Sequence, residues 1–274
     1  MREDKILAAK EHIAEMDELF MNETYRSARY ARPFYNSIFN DDAVWNKLKA
    51  DAKRPEVIFA GMGAVETLFE YGQGRSAVLD FADFLRPAGS FLEGKDTQET
   101  DLCRHSNLYN ILLLCTDYYE NNKERIFGGL YKDRCLIVPE VIFEKDGKEM
   151  NADVIVSSMP DVHAFRKSYY HGINAGDNNE RFFGDFQEVL DYNVELRTAF
   201  LRRVVDVADI DTLILGAWGC GESGNDPVLT ASMLDANIYK TNGSYMPCLK
   251  NRRQIIKPLR RCFHKFIAYL IEIC

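Results

Sequence analysis

The sequence lacks the features that mark secreted, membrane-spanning and zinc-binding proteins. No stretch approaches the roughly 18 consecutive apolar residues of a membrane span, and the charged N-terminus has no apolar signal core. The seven cysteines are scattered, with no C-x-x-C pair and no histidines at zinc spacing. We therefore predict no metal site, no membrane partner and free thiols in a reducing, cytoplasmic compartment.

Positive charge is also scarce. The formal net charge is -8, with 34 Lys and Arg against 42 Asp and Glu. Sequence-independent binding to nucleic acid requires many cationic contacts to phosphates, so this balance excludes a general nucleic-acid binder, and we expect no sequence-specific nucleic-acid partner either. A small anionic ligand held by backbone groups stays possible. The sequence leaves the oligomeric state open.

The chain contains enough apolar residues, 46% of the total, for one large core. Helical periodicity dominates residues 3–50, and an alternation of strands and helices begins near Pro55. We therefore predict an N-terminal helical extension over residues 1–54, packed on an α/β domain over residues 55–274. The pattern after Lys250 is that of an amphipathic C-terminal helix with a basic face.

Two glycine-containing loops, each between a predicted strand and a predicted helix, are the best candidates for a ligand site. The first follows the strand 77–82 and contains Ala88-Gly-Ser90 and Gln98-Glu-Thr100. The second follows the strand 212–218 and contains Gly219-Cys-Gly-Glu-Ser-Gly224. Free N–H groups and the positive end of a helix favour anions at such positions, so one elongated diphosphate could contact both loops. Two alternatives are a dinucleotide-binding fold and a pair of purely structural turns.

The residue pattern of residues 77–109 and 213–227 resembles that of the microbial-type poly(ADP-ribose) glycohydrolases, whose signature is Gly-Gly-Gly followed by Gln-Glu-Glu. The segments Gly-Ala-Trp-Gly-Cys-Gly and Asn-Asp-Pro are the most specific part of this resemblance. It implies a macrodomain-like three-layer α/β/α sandwich with a mixed sheet, no cofactor, and ADP-ribose or an ADP-ribosylated macromolecule as partner. The ligand-binding residues it implies are Ala88, Gly89, Ser90, Phe91, Gln98, Gly216, Trp218, Gly219, Cys220, Gly221, Ser223, Gly224 and Asn225. Because the resemblance places a cysteine at position 220, we interpret Cys220 as packing beneath the loop.

The same resemblance implies that the catalytic acid is altered in this chain. Thr100 stands at the second Glu of Gln-Glu-Glu, which in the family protonates the departing ribose oxygen. Asp80 replaces an Asn that contacts the distal ribose, and Ser223 replaces an aromatic ring. Ala88 and Ser90 replace glycines.

Three functions remain open at this point. The chain binds ADP-ribose without cleaving it; or it cleaves ADP-ribose with a displaced carboxylate, Asp80 or Glu99; or it binds another nucleotide-derived ligand. In the first case, restoring the carboxylate with Thr100→Glu should raise activity.

Overall fold

The computed structural model describes residues 2–35, 56–171, 185–239 and 269–272. Its helices are α1 (Arg2–Tyr30), α2 (Ala64–Tyr71), α3 (Gln98–Arg104), α4 (Leu108–Leu114), α5 (Thr116–Lys123), α6 (Val162–His171), α7 (Phe186–Ala208) and α8 (Pro227–Leu234). Its strands are β1 (Arg32–Tyr35), β2 (Glu56–Phe59), β3 (Ser76–Phe81), β4 (Arg134–Lys145), β5 (Lys148–Ser157), β6 (Thr212–Leu215) and β7 (Tyr269–Glu272).

The strands form one sheet in the order β1-β4-β5-β3-β6-β7-β2. The central strand β3 is parallel to both β5 and β6, whereas the other pairs are antiparallel. The hairpin between β4 and β5 turns at Asp146 and Gly147, both with positive φ, as the Lys-Asp-Gly-Lys sequence predicts. The predicted mixed sheet is therefore confirmed.

Side chains of β3 alternate between two hydrophobic cores, because successive residues of a strand point to opposite faces of the sheet. Ala77 and Leu79 pack in the core covered by α7 and α8, whereas Val78 packs in the core covered by α1 to α5. Helices therefore cover both faces of the sheet, and the predicted three-layer arrangement is confirmed. Asp80 lies on the Val78 side of β3, facing the layer that contains α3.

The ends of the chain differ from the sequence-based expectations. Within the predicted helical region 3–50, α1 ends at Tyr30 and Arg32–Tyr35 forms β1, which pairs with β4, whereas residues 36–50 lie outside the described residues. The predicted extension thus contributes a strand to the sheet, and its division from the domain at residues 54 and 55 stays a prediction. Most of the predicted C-terminal helix lies outside the described residues. Over Tyr269–Glu272 that prediction is wrong, because these residues form β7 between β6 and β2.

Two predicted helices have different bounds in the structure. The apolar periodicity from Glu99 to Leu114 belongs to two helices, α3 and α4, separated at Ser106, which forms an isolated β-bridge with Phe143. The pair Asp226-Pro227 predicts a helix start, and this is confirmed, since Asp226 accepts hydrogen bonds from the backbone N–H groups of Val228 and Leu229 at 2.8 Å.

Within the described part of the chain, no helix is long and apolar enough to cross a membrane. The four cysteines in this part (Cys103, Cys115, Cys135 and Cys220) are free thiols. The cytoplasmic location stays a prediction.

Candidate active site

A cavity of about 550 Å³ lies beyond the carboxyl ends of the three parallel strands β3, β5 and β6. In open α/β sheets this edge is the usual place for a ligand, because the loops that follow neighbouring strands meet there. Loop 1 (residues 82–97), the turn after β5 (residues 158–161) and loop 2 (residues 216–226) supply most of the lining. The two glycine loops predicted from the sequence therefore contact one cavity.

Ten of the residues that the sequence assigned to the site line this cavity, and six do not. The lining residues are Gly89, Ser90, Gln98, Glu99, Gly216, Trp218, Gly219, Cys220, Gly221 and Ser223. The residues outside the lining are Asp80, Ala88, Phe91, Thr100, Gly224 and Asn225.

Glu99 is the carboxylic acid that loop 1 and α3 bring to the cavity. It is the second residue of α3, after the N-cap Thr97, and its side chain is almost fully buried at 4% exposure. Its Oε2 accepts a hydrogen bond of 3.1 Å from the backbone N–H of Asp83. Its Oε1 has no hydrogen-bond partner among the described residues. Oε2 is thus anchored to loop 1, whereas Oε1 is buried and has no partner among the described residues.

Asp80 lies behind Glu99, inside the protein. Its side chain is fully buried, and neither carboxyl oxygen has a hydrogen-bond partner within the described ranges. Burial raises the pKa of Asp80 to about 8. Burial also raises the pKa of Glu99 well above its usual range, and repulsion by Asp80 raises it further, although the hydrogen bond from Asp83 opposes the shift. Burial therefore favours the protonated form of both carboxyls.

Thr100, which the resemblance aligned with the family's catalytic acid, is turned away from the cavity. Its hydroxyl accepts a hydrogen bond from the N–H of Thr97 at 2.9 Å and donates to the carbonyl of Lys95 at 3.0 Å. Thr97 in turn accepts a hydrogen bond from the N–H of Thr100, which completes a capping box at the start of α3. The contacts of Thr100 are therefore those of a helix cap.

The backbone of loop 1 fits closely around Glu99. Gly89 has φ of +50°, and a Cβ atom at this position would lie 2.6 Å from Oε2 of Glu99. Ala88 also has positive φ, at 53°, but its side chain is fully buried in the α1–α5 core and does not enter the cavity. Phe91 is buried against Tyr109, with ring centroids 5.1 Å apart. The expectation that Ala88 and Phe91 contact the ligand is not supported, because both side chains pack into the core.

Gln98 joins the start of α3 to the end of β3. Its amide Nε2 donates to the carbonyl of Leu79 at 2.8 Å, and its Oε1 accepts from the N–H of Phe81 at 2.9 Å. Gln98 borders the cavity, but both ends of its amide bind the strand. It therefore fixes the position of the neighbouring residue, Glu99.

Loop 2 contributes mainly backbone to the cavity. Trp218 is fully buried, and its Nε1 donates to the carbonyl of Ser157 at 3.1 Å. Asn225 lies outside the lining and donates to the carbonyls of Pro160 and Gly219, at 2.8 and 3.1 Å. Gly219 has φ of +74° and lies close to Met159. A Cβ atom added at Gly219 would be 2.5 Å from the Cβ of Met159. These contacts hold the loop in a tight turn.

Cys220 and Gly224 both lie against other parts of the protein. Burial raises the pKa of the Cys220 thiol to about 11, so the thiol stays protonated at neutral pH. Its Sγ donates a weak hydrogen bond to the carbonyl of Trp218. Gly224 lies against His163, whose Nε2 would be 2.8 Å from an added Cβ atom.

Other residues line the cavity without having been assigned to it from the sequence, among them Asp83, Arg86, Tyr131 and Asp161. Asp83 was recognisable only as an acidic residue in place of an amide. Arg86 donates to Asp83 and to Glu93 and Ser90, so that its guanidinium ties loop 1 together. Tyr131 and Asp161 belong to chain segments between regular elements, and no local sequence pattern distinguishes them.

The charges around the cavity are largely balanced. Three of its acidic residues form ion pairs: Asp83 with Arg86 at 3.0 Å, Asp96 with Arg104 at 3.0 Å, and Glu222 with Lys95 at 3.3 Å. The last pair joins loop 1 to loop 2. No group of three or more His, Cys, Asp or Glu in the described ranges could hold a metal ion. Carboxyl groups, among them those of Glu99 and Asp161, belong to the residues that line the site.

Comparisons with solved structures give the same fold. The poly(ADP-ribose) glycohydrolase of Thermomonospora curvata bound to the inhibitor ADP-HPD matches with a TM-score of 0.65 and 22% identity, over 85% of this chain and 86% of that one. The enzyme of Deinococcus radiodurans in complex with ADP-ribose matches with a TM-score of 0.60 and 21% identity, over 77% and 81% of the two chains. No curated protein matches the sequence.

The sequence also matches the model of a protein family, described as microbial-type PARG, catalytic domain, over residues 5–146. This match spans more than half of the chain and includes α1, loop 1 and the carboxyl pair of Asp80 and Glu99. The family expected from the two loops is thereby confirmed: the chain belongs to the microbial-type poly(ADP-ribose) glycohydrolase family.

Proposed function

We propose that this protein binds ADP-ribose groups in the cavity and cleaves the glycosidic bond of an ADP-ribosylated macromolecule, with Glu99 as the proton donor. The observation that carries the proposal is Glu99, which lines the cavity and whose carboxyl has a pKa raised well above its usual range by burial beside Asp80. A general acid needs this combination of access to the leaving group and a raised pKa.

The backbone of the two loops would hold the anionic part of the ligand. Loop 1 and loop 2 both approach the cavity with small residues, Gly89 and Gly219 among them, so that a diphosphate can come close to the main chain. The T. curvata and D. radiodurans proteins of the same fold are described with ADP-HPD and with ADP-ribose, respectively. Both ligands support ADP-ribose as the first compound to test.

The reaction follows from the position of Glu99. As the bond between the anomeric carbon and the leaving atom breaks, the proton of Glu99 passes to the leaving atom. Water then adds to the oxocarbenium-like carbon, and the carboxylate of Glu99 accepts the proton that this water loses. Asp80, with a pKa of about 8, keeps its own proton at neutral pH. The carboxylate formed on Glu99 is therefore not repelled by a second negative charge.

A second function, binding without cleavage, is favoured by one observation. Thr100 stands where the resemblance places the family's catalytic acid, and its hydroxyl caps α3. If the reaction requires a carboxylate at that position of the helix, the protein would be an ADP-ribose-binding module.

Two measurements on the wild-type protein separate these functions. Calorimetric titration with ADP-ribose measures binding, and release of ADP-ribose from modified protein measures cleavage. The proposal requires both, with activity that falls as the pH rises through the pKa of Glu99, because only the protonated acid donates. Binding without release at any pH would favour the binding module, and absence of both would contradict the two functions together.

A further inference from the structure

One wall of the cavity combines a flat aromatic ring with a carboxylate that has no cationic partner. The ring is that of Tyr131, which stacks on Phe84 with centroids 4.2 Å apart and planes inclined by 13°. Burial raises the pKa of the Tyr131 hydroxyl to about 12, and the negative charges of Asp161 and Asp83 contribute to this shift. The phenol therefore lies close to both carboxylates, on the side of the cavity where Asp83 holds Glu99.

The backbone of Tyr131 is held in place by a buried arginine. Tyr131 has φ of 60°, and its N–H donates to the carbonyl of Ile126 at 3.0 Å. Arg197, only 1% exposed, donates to the carbonyl of Tyr131 at 3.1 Å and also binds the carbonyl of Ser158, which opens the turn leading to Asp161. Arg197 thus fixes the two chain segments that carry Tyr131 and Asp161.

Asp161 differs from the other acidic residues of the lining. Its Oδ1 accepts a hydrogen bond of 2.9 Å from the N–H of Ala164 in the first turn of α6. Its carboxylate forms no ion pair with any residue that the structure describes, whereas Asp83, Asp96 and Glu222 each have a cationic partner. The lining therefore includes one carboxylate without a cationic partner, that of Asp161, together with the aromatic ring of Tyr131.

We propose that Tyr131 and Asp161 bind a planar cation on the leaving side of the scissile bond, namely the guanidinium group of an ADP-ribosylated arginine side chain. A guanidinium group stacks on aromatic rings and pairs with carboxylates, and few other groups of modified proteins do both. This substrate class rests on the proposed function, since it assigns the group from which Glu99 separates the ADP-ribose.

Hydrolysis of this linkage needs only water and the carboxyl of Glu99. The bond between the anomeric carbon and the guanidinium nitrogen breaks, and its electron pair stays on the nitrogen, which receives the proton of Glu99. Water adds to the anomeric carbon and gives a proton back to Glu99. The products are free ADP-ribose and an unmodified arginine side chain, which is again a cation and is held by Asp161 until it leaves.

The test compares two substrates, a peptide ADP-ribosylated at one arginine and the same peptide ADP-ribosylated at one serine, with the wild-type protein and Asp161→Asn. An asparagine can still accept the bond from Ala164, so that the variant should fold. The loss of a hydrogen bond to a charged group predicts a KM that rises about 10–100-fold for the arginine-linked peptide. The KM for the serine-linked peptide should change little.

Three further proteins complete the test. Tyr131→Leu should weaken binding of the arginine-linked peptide selectively, and Tyr131→Phe should weaken it less, because the ring remains. Asp101→Asn, a carboxylate on α3 that lies outside the cavity lining, should change neither substrate. Equal losses on both peptides in Asp161→Asn would overturn the proposal, as would a wild-type protein that cleaves only the serine-linked peptide.

Failure of the proposed function gives a different result, absence of cleavage of both peptides. In that case the inference is tested by measuring the binding of the two peptides by calorimetry. Tighter binding of the arginine-linked peptide that is lost in Asp161→Asn would support it, and equal binding of both peptides would overturn it.

Discussion

Loop 1 and loop 2 follow neighbouring parallel strands and contact the same cavity, but they are built for different tasks. Loop 1 surrounds a carboxyl, since the N–H of Asp83 binds Glu99 and Gly89 leaves room for it. Loop 2 turns its larger side chains inward, with Trp218 and Asn225 bound to backbone carbonyls of the β5 end and of the loop itself. Changes in loop 1 and at its base should therefore affect the chemistry, whereas changes in loop 2 should affect the shape of the binding site.

Glu99→Gln should have the largest effect, and it tests whether loop 1 holds the acid. The amide keeps the size of the side chain but cannot donate a proton as an acid, so we expect hydrolysis to fall by about 10²–10⁴-fold. Binding of ADP-ribose, measured by calorimetry, should stay within about tenfold of the wild type. Asp101→Asn is the matched control on the same helix. Full activity in Glu99→Gln would show that loop 1 does not hold the acid.

The buried carboxyl of Asp80, at the end of the strand that leads into loop 1, can be tested by Asp80→Asn. A pKa raised to about 8 means that the carboxyl stabilises the fold at low pH and that this contribution is lost as the pH rises toward 8. Asn carries no charge at either end of that range. The variant should therefore unfold at a higher temperature than the wild type at pH 8, with a difference that shrinks toward pH 4. A difference independent of pH would contradict the buried carboxyl.

The fit between loop 1 and Glu99 is tested by Gly89→Ala. The added Cβ would meet Oε2 of Glu99 at 2.6 Å, at a residue with positive φ. A displaced acid should lower kcat by about 100-fold, because a shift of an ångström is enough to lose alignment. Gly147→Ala is the control, since Gly147 also has positive φ, at 72°, but has nothing within 4 Å of an added Cβ. Both variants should lose about 1 kcal/mol from backbone strain, and only Gly89→Ala should lose activity.

The smallest effect on activity is expected for Thr100→Glu. The alignment with the family predicts a large gain, but the side chain at position 100 caps α3, and Glu is itself favoured at this position of a capping box. We expect kcat to change by less than about tenfold, and the larger side chain to cost about 1–3 kcal/mol of stability at this fully buried position. A gain of 100-fold or more would show that position 100 reaches the leaving group and that the alignment was the better guide.

The sequence was a good guide to the fold where the chemistry is local. The apolar run of β3, the Asp-Pro pair at the start of α8 and the Asp-Gly turn between β4 and β5 all have the predicted structure. It was a poor guide near the ends of the chain. The short run Tyr269-Leu-Ile-Glu272 suits a helix or a strand equally, and pairing with β6 and β2 decides for the strand.

The sequence was likewise a good guide to some features of the site and a poor guide to others. The sequence by itself placed two glycine loops at the ends of two strands and showed the family, because the loop residues are specific and contiguous. It could not show which of Glu99 and Thr100 faces the cavity. Adjacent helix residues point about 100° apart, so that the answer depends on how α3 is rotated against β3.

The tertiary structure decided that rotation through contacts between residues far apart in the sequence. Gln98 binds the end of β3, the N–H of Asp83 binds Glu99, and Thr100 is left to cap the helix. It also brought Asp80 behind Glu99, and Tyr131 and Asp161 beside them, from three separate strand ends. The sequence thus determined the family and the two loops, whereas packing around buried carboxyls decided that Glu99 rather than Thr100 lines the cavity.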